Sequence, residues 1–217
     1  MNTNTTGVAT IRVAAAQFHV GADIEANLAT CLHWLDEASR CRPDLVVLPE
    51  FCNHLSWYAD RQHCIDVSVE LDGPFLAAIA ARARELGIHV VVNCTVRRPD
   101  GSATGSSLLY SPAGELLADN TKQIYIGHEN DFLEPASAEG PVVRTALGRL
   151  GLYACMDGVI NEPPRCLALR RPWRRFQNAR RTSRPPSPFH AAALAPRSAR
   201  HGRPPARRRS PRPSPPR

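Results

Sequence analysis

Apolar positions along the first 170 residues alternate between short strand-like runs and segments with helical spacing. Residues 11–17 form a first apolar run, which predicts a strand. Asp23 then stands as a helix N-cap before a segment that ends at Pro43. The apolar positions of that segment are Leu28, Cys31, Leu32 and Leu35. Residues 45–48 are all apolar, as in a strand covered on both faces, and Glu50 follows just past it.

A second helix and a series of strands follow. Pro74 suits the first turn of a helix and Gly87 its C-terminal end, and the Ala-rich stretch between them predicts that helix. Residues 88–96 read as a strand, and the turn signals at 99–101 and 111–114 predict an antiparallel meander that continues through residues 115–126. Residues 127–140 are polar and predict a loop. Two further strands, 141–146 and 148–155, come before a helix that starts at Glu162 or Pro163.

This order of elements predicts an α/β layered domain rather than a helical bundle or an all-β barrel. The sequence contains no internal repeat. It also lacks the glycine-rich patterns G-x-G-x-x-G and G-x-x-x-x-G-K-[ST]. The usual sequence argument for a dinucleotide or a P-loop nucleotide is therefore missing.

Charge divides the chain into two parts. Residues 171–217 contain 14 Arg and 11 Pro and no Asp, Glu or Lys, so they carry +14, whereas the whole chain carries +7. Residues 1–170 therefore carry −7, and the overall pI of about 9.4 describes neither part. We expect any binding of nucleic acid to be a property of the tail alone, and we do not expect a specific one.

The cysteine pattern and the first residues indicate the cellular setting. The seven cysteines include no C-x-x-C pair and no His neighbour at metal-ligand spacing, which argues against a disulfide framework and against a zinc site. Residues 1–10 lack the charged and apolar regions of a signal peptide, and no apolar run approaches the roughly 20 residues of a membrane span. We expect a reduced, cytoplasmic protein.

Three residues of complementary chemistry lie at or near the ends of predicted strands: Glu50, Lys122 and Cys155. Loops beyond the strand ends of an α/β sheet converge on one site, so a single pocket can hold all three. A cysteine needs a neighbouring base or cation to act as a nucleophile near neutral pH, and Glu50 and Lys122 supply both. Taken singly, each has a simpler explanation, a buried small side chain for the cysteine and solvated surface charges for the other two.

The local contexts of these residues resemble the nitrilase superfamily of carbon-nitrogen hydrolases over residues 10–170. The glutamate lies in LVVLPEF, the lysine follows a strand after a P-x-G turn, and the cysteine lies in GLYACMD, in the order of that superfamily's Glu-Lys-Cys triad. Further matches are RVAAAQ near the start, the stretch LDGPFLAAIAARARELGIHVVV, Asn27 in the first helix and Asp157 in the Cys-x-Asp pattern.

The resemblance implies a layered α-β-β-α sandwich and hydrolysis of a non-peptide carbon–nitrogen bond in a small amide, carbamoyl compound or nitrile. It makes Glu50 the general base, Lys122 the cation that stabilises the transition state, and Cys155 the nucleophile that forms a thioester or thioimidate. Glu129 is the candidate for a second glutamate near the substrate, and Glu134 is the alternative. Neither a metal nor an organic cofactor is implied. Intact members of the superfamily are expected to form homo-oligomers.

The family pattern stops near Arg170, where an Arg- and Pro-rich sequence replaces the expected Gly-Ala turn and strand. Residues 171–217 contain one Leu and no Val, Ile or Met, which predicts a disordered tail. We hypothesise that the domain is truncated, or that the tail is an out-of-frame translation of a GC-rich gene. Two alternatives to an active hydrolase stay open: a catalytically inactive fragment, and a nonspecific polyanion binder acting through the tail.

Overall fold

A computed structural model describes residues 10–170 and 189–191 of the chain. The helices are α1 Ile24–Ser39, α2 Arg61–Asp66, α3 Pro74–Leu86, α4 Glu129–Phe132, α5 Met156–Val159 and α6 Glu162–Leu169. The strands are β1 Val13–Ala15, β2 Leu45–Val47, β3 His89–Arg97, β4 Ala103–Tyr110, β5 Leu116–Thr121, β6 Val142–Thr145, β7 Gly148–Leu152 and β8 Phe189–Ala191.

The strands of the described residues form two sheets. The larger has the order β1-β2-β3-β4-β5, in which β1, β2 and β3 run parallel and β3, β4 and β5 run antiparallel to their neighbours. Because two antiparallel steps restore the direction, β5 points the same way as β2. The ends of β2 and β5 therefore lie at the same edge of this sheet. The smaller sheet has the order β6-β7-β8.

The elements stack in layers, as the α-β-β-α prediction requires. Helices α1 and α3 cover one face of the larger sheet, where Leu35, Leu76 and Ile79 are fully buried against β3. The other face packs on the smaller sheet through Val91 and Leu109. Helix α6 follows on the outside of β7, where its buried residues are Pro163 and Leu167. Apolar packing on both faces of the larger sheet holds the strand ends in fixed relative positions.

Two local signals that predicted helix ends are confirmed, whereas α1 ends at Ser39 and so stops before Pro43. The Asp23 side chain accepts a hydrogen bond from the backbone N–H of Ala26 at 3.0 Å and caps α1. Gly87 ends α3 in the left-handed conformation, with a φ of 65° that suits glycine. The meander of β3, β4 and β5 is also present, as is the hairpin of β6 and β7 around Leu147 and Gly148.

Three short helices were not predicted. The polar stretch 127–140 contains the one-turn helix α4, and α2 and α5 each follow a loop. Strand β7 also ends earlier than predicted, at Leu152, so Cys155 does not close the strand but stands as the N-cap of α5. Helices of four to six residues leave too few apolar positions for a periodic pattern to show in a sequence.

The predicted tail lies outside the described residues except for β8. Residues 189–191 form a three-residue strand that pairs parallel with Leu150–Leu152 of β7. The expected disorder of the rest and the polyanion-binding alternative therefore concern residues that the structure does not describe. Over the described ranges, no helix is both long and apolar enough to span a membrane.

Candidate active site

The three predicted site residues, Glu50, Lys122 and Cys155, lie beyond strand ends. Glu50 and Lys122 meet at one edge of the larger sheet. Glu50 comes three residues after the end of β2, and Lys122 directly follows β5. The Lys122 Nζ lies 2.6 Å from Glu50 Oε1. Since β2 and β5 run in the same direction, the topology brings together two charges that are 72 positions apart in the sequence.

Lys122 is the only lysine in the whole sequence, and its side chain is only 1% exposed. Its Nζ also lies 3.4 Å from Glu129 Oε2, so one buried ammonium faces two carboxylates. Burial alone lowers the pKa of Lys122, but the charge and hydrogen bond of Glu50, together with the charge of Glu129, outweigh burial and raise it. Lys122 is therefore a fixed, protonated cation at neutral pH.

Two aromatic rings complete the surroundings of the ammonium. The Nζ of Lys122 lies 4.9 Å from the ring centre of Phe51 and 5.1 Å from that of Tyr125, distances at which a cation is attracted to a ring face. Gly105 makes room for both rings, because a Cβ there would lie 2.9 Å from the Phe51 ring and 3.1 Å from the Tyr125 ring. The backbone of Gly105 also accepts a hydrogen bond from Lys122 N.

Cys155 has an unusual backbone conformation. Its φ of 47° and ψ of −115° place a non-glycine residue in a sparsely populated region, which costs on the order of 1–3 kcal/mol. Phe51, next to Glu50, also has a positive φ of 51°. Two of the three non-glycine residues with positive φ in the described part of the chain thus lie at this site, and the third is Arg42. Strain of this kind is held in place by surrounding contacts and clusters at functional sites.

The thiol of Cys155 interacts with both neighbouring charges. Partial burial, the Glu50 charge and a hydrogen bond with the Glu50 carboxylate raise the pKa of Cys155, while Lys122 and the backbone N–H of Met156 act to lower it. The net direction is upward, so the resting form is a neutral thiol beside a carboxylate. The residue is nevertheless exposed to solvent. A small molecule can therefore reach a thiol that has a proton acceptor beside it.

The two candidate second glutamates differ in position. Glu129 is 6% exposed, touches Lys122, and its Oε2 accepts from the backbone N–H of Ile126 at 3.4 Å. Glu134 has a side chain that is 57% exposed and lies 3.7 Å from Arg61 at the surface. Of these two glutamates, only Glu129 contacts the cluster of Glu50, Lys122 and Cys155, through the Lys122 ammonium.

Two buried side chains hold the loops that carry the cluster. The Oδ1 of Asp157 accepts hydrogen bonds from the backbone N–H groups of Gln123 at 3.1 Å and Ile124 at 3.0 Å, which joins the cysteine loop to the lysine loop. Burial raises the pKa of Asp157, and these two N–H groups act to lower it. Asn93, in the middle of β3, accepts from the backbone N–H of Phe51 at 2.9 Å and so fixes the turn after Glu50.

The cluster holds the kinds of group that covalent acyl transfer uses: a thiol, a carboxylate that can take a proton, and a buried cation. Among residues 10–170, no group of three or more His, Cys, Asp or Glu side chains converges as metal ligands would.

A sequence model of the family described as carbon-nitrogen hydrolase matches residues 12–172, about three quarters of the chain. The chain belongs to the carbon-nitrogen hydrolase family. Among curated relatives, the hydrolase Rv0480c of Mycobacterium tuberculosis is 30% identical over 152 residues, which are 68% of this chain and 53% of that protein. This carbon-nitrogen hydrolase chain therefore spans about half the length of the curated relatives that it matches.

The fold of this family member is similar to those of solved structures, one of which is a member of the nitrilase superfamily. Nit3 of Saccharomyces cerevisiae, a member of branch 10 of that superfamily, superposes with a TM-score of 0.65 at 22% identity, covering 73% of this chain and 60% of Nit3. An amidase from Nesterenkonia sp. gives a TM-score of 0.62 at 25% identity, with the same coverage of each chain. A carbon-nitrogen hydrolase from Helicobacter pylori gives 0.66 at 19% identity, covering 73% and 56%.

Sequence reasoning named the charged residues but missed several of their supports. Phe51 and Tyr125 were not singled out, and neither were Gly105 or Asn93. A detectable signal existed for Asn93, since an amide inside the apolar run VVVNCTV must find hydrogen bonds when the strand is buried. No signal existed for Gly105, because its role depends on two rings that approach it from other parts of the chain.

Proposed function

We propose that this chain is the catalytic core of a hydrolase that cleaves the carbon–nitrogen bond of small amides or nitriles through a covalent intermediate on Cys155. The observation that carries the proposal is the buried Lys122 ammonium between two carboxylates, one of which also interacts with the Cys155 thiol. The chain has a single lysine beside 26 arginines, and the use of lysine at this buried position supports a specific need for a compact ammonium.

In the first half of the reaction, the Cys155 sulfur attacks the amide carbon while Glu50 takes the thiol proton. The raised pKa of Cys155 favours this route over a preformed thiolate, because the proton leaves only as the bond to carbon forms. Negative charge moves to the substrate oxygen, where Lys122 stabilises it. Glu50 then gives the proton to the departing nitrogen, which leaves a thioester and releases ammonia or an amine. A nitrile instead gives a thioimidate, because Glu50 protonates the nitrile nitrogen and nothing leaves; addition of water to the thioimidate then releases ammonia and gives the thioester.

In the second half, Glu50 takes a proton from water as the water attacks the thioester. The tetrahedral adduct collapses, the acid product leaves, and the sulfur recovers its proton from Glu50, so the atoms and charges return to the starting state. We assign to Glu129 the role of orienting Lys122 and the incoming substrate, on the strength of its buried contact with the ammonium. Two carboxylates against one ammonium leave the cluster with a formal excess of negative charge, which suits a neutral small molecule better than an anion.

The proposal keeps the reduced, cytoplasmic setting predicted from the sequence, supported by seven cysteines that are all free. It also keeps the prediction that intact relatives form homo-oligomers. The amidase from Nesterenkonia sp. supports amide substrates over nitriles as the first compounds to test.

The test is release of ammonia from a panel of small primary amides, carbamoyl compounds and aliphatic nitriles by the purified full chain. Replacement of the nucleophile, Cys155→Ala, should abolish release, whereas Cys41→Ala, at another exposed cysteine, should not. Equal release by the chain and its Cys155→Ala variant would contradict the proposal, and so would the absence of release from every compound.

A further inference from the structure

Asn120 is a buried amide on β5, two residues before Lys122. It is 5% exposed, and its Nδ2 donates a hydrogen bond to the backbone carbonyl of Leu152, the last residue of β7. Leu152 comes three residues before Cys155. One side chain therefore joins the strand that ends at the lysine to the strand that leads to the cysteine.

The hydrogen bond is made at the last residue of β7, just past the pairing of β7 with β6. The last pair between β6 and β7 is Val142 with Gly151, so the carbonyl of Leu152 lies one position beyond that ladder. The next residues leave the strand and reach the strained conformation of Cys155. A strained residue keeps its conformation only when neighbouring groups fix the chain on either side of it. Asn120 provides such a fixed point on the N-terminal side.

The surroundings of Asn120 indicate that its amide is needed as a hydrogen-bond donor rather than as an acceptor. The backbone of Gly140 lies directly against the amide, so that a Cβ there would lie only 1.9 Å from Asn120 Oδ1. Over the described ranges, this oxygen has no hydrogen-bond partner. A buried unpaired oxygen lowers stability, and an apolar side chain of similar size would avoid it. The bond from Nδ2 to Leu152 is the contact that such a replacement would lose.

A second set of hydrogen bonds joins the same two segments, but from the cysteine segment to the lysine segment. Asp157, two residues after Cys155, accepts from the backbone N–H groups of the residues that follow Lys122. Asn120 precedes the lysine and binds the strand before the cysteine, while Asp157 follows the cysteine and binds the loop after the lysine. The two ties bracket Lys122 and Cys155 from both sides.

We infer that Asn120 is a positioning residue that fixes the Cys155 thiol relative to the Lys122 ammonium. The inference rests on the proposed function, in which the lysine acts on the reacting cysteine. It adds a residue that touches neither the substrate nor the reacting atoms and that acts through the backbone of Leu152.

The experiment measures how strongly Lys122 influences Cys155. The rate of alkylation of Cys155 by iodoacetamide is followed against pH in the full chain by peptide mass spectrometry. Because Lys122 acts to lower the pKa of Cys155, Lys122→Gln should raise the midpoint of this profile. In an Asn120→Ala background, the same substitution should produce less than half of that shift. Asn120→Ser serves as a second background if the alanine variant lacks a cooperative melt.

Ile79→Val is the control for a general loss of stability, since Ile79 is fully buried on the opposite face of the larger sheet. It should leave the Lys122 shift unchanged. If Lys122→Gln shifts the alkylation midpoint equally with and without Asn120, the inference is overturned and the proposed triad is unaffected. The same holds if Ile79→Val reduces that shift as much as the Asn120 variants do. No shift by Lys122→Gln in the otherwise unchanged chain overturns both the inference and the proposed role of the lysine.

Discussion

A methyl group added at Gly105 would press directly on the two rings that surround the Lys122 ammonium. Its Cβ would lie 2.9 Å from Cε1 and 3.0 Å from Cζ of Phe51, and 3.1 Å from Cε1 of Tyr125. Ordinary contacts of a Cβ begin at 3.4 Å, so at least one ring must retreat by about half an ångström. Both rings are buried, the backbone N–H of Phe51 is held by Asn93, and the hydroxyl of Tyr125 accepts from Gly105 N at 2.7 Å, so a retreat of either ring disturbs its surroundings.

Overpacking of this kind costs about 1–3 kcal/mol. In a chain of this size, that predicts a fall in melting temperature of roughly 2–12 °C for Gly105→Ala. Displacement of the rings should also move Lys122 and raise the pH midpoint of Cys155 alkylation, because the ammonium acts to lower the pKa of that thiol. Differential scanning calorimetry and the alkylation profile measure the two effects.

The matched control is Gly21→Ala. A Cβ at Gly21 would meet only Asn27 Oδ1, at an ordinary 3.8 Å, so the melt and the alkylation profile should stay close to those of the unchanged chain. A Gly105→Ala variant with an unchanged melting temperature and an unchanged profile would refute the packing argument around the ammonium.

Three further predictions concern the carboxylates. Glu50→Gln should lower the pH midpoint of Cys155 alkylation, since after burial the Glu50 charge is the largest cause of the raised pKa. It should also reduce ammonia release by about 100-fold or more through loss of the general base. A midpoint that does not fall, or a release that stays unchanged, would contradict this. Glu129→Gln should reduce ammonia release by about tenfold or more, because Glu129 contacts the Lys122 ammonium. Glu134→Gln, at a screened surface ion pair, should change the release by less than about twofold. Equal effects of the two substitutions would contradict the choice of Glu129 as the second glutamate. Burial raises the pKa of Asp157 above 3.8, so the stability that its protonated form contributes is fully present below pH 3.8 and is lost as the pH rises through the folded-state pKa. Asp157→Asn should remove this loss from the free energy of unfolding measured by denaturation at several pH values. An unchanged pH dependence in the variant would contradict this.

Local signals in the sequence predict most of the fold, because they act over a few residues. The N-cap Asp23, the helix end at Gly87 and the turns of the meander all behave as their backbone preferences require. The short helix α4 escaped prediction because its four residues are too few for a periodic pattern. Its position nevertheless decides which glutamate meets Lys122, so the choice between Glu129 and Glu134 needed the three-dimensional arrangement.

The chemistry of the site is similarly divided between sequence and structure. Motifs name Glu50, Lys122 and Cys155, but they do not show that the thiol is held in a strained backbone with a raised pKa. That property depends on a carboxylate from β2 and a cation from β5 that meet only after the sheet forms. The ties made by Asn120 and Asp157 arise in the same way, from contacts that span more than 30 positions of the sequence.

The most direct measurement is peptide mass spectrometry of the full chain after brief incubation with a small amide or nitrile and acid quenching. The account predicts an acyl or imidoyl adduct on Cys155 and none on Cys41, although both cysteines are exposed. The adduct should fall below detection in the Glu50→Gln variant, which keeps the thiol but lacks the proton acceptor. Adducts of equal yield on Cys41 and Cys155, or an adduct on Cys155 that does not depend on Glu50, would contradict the account.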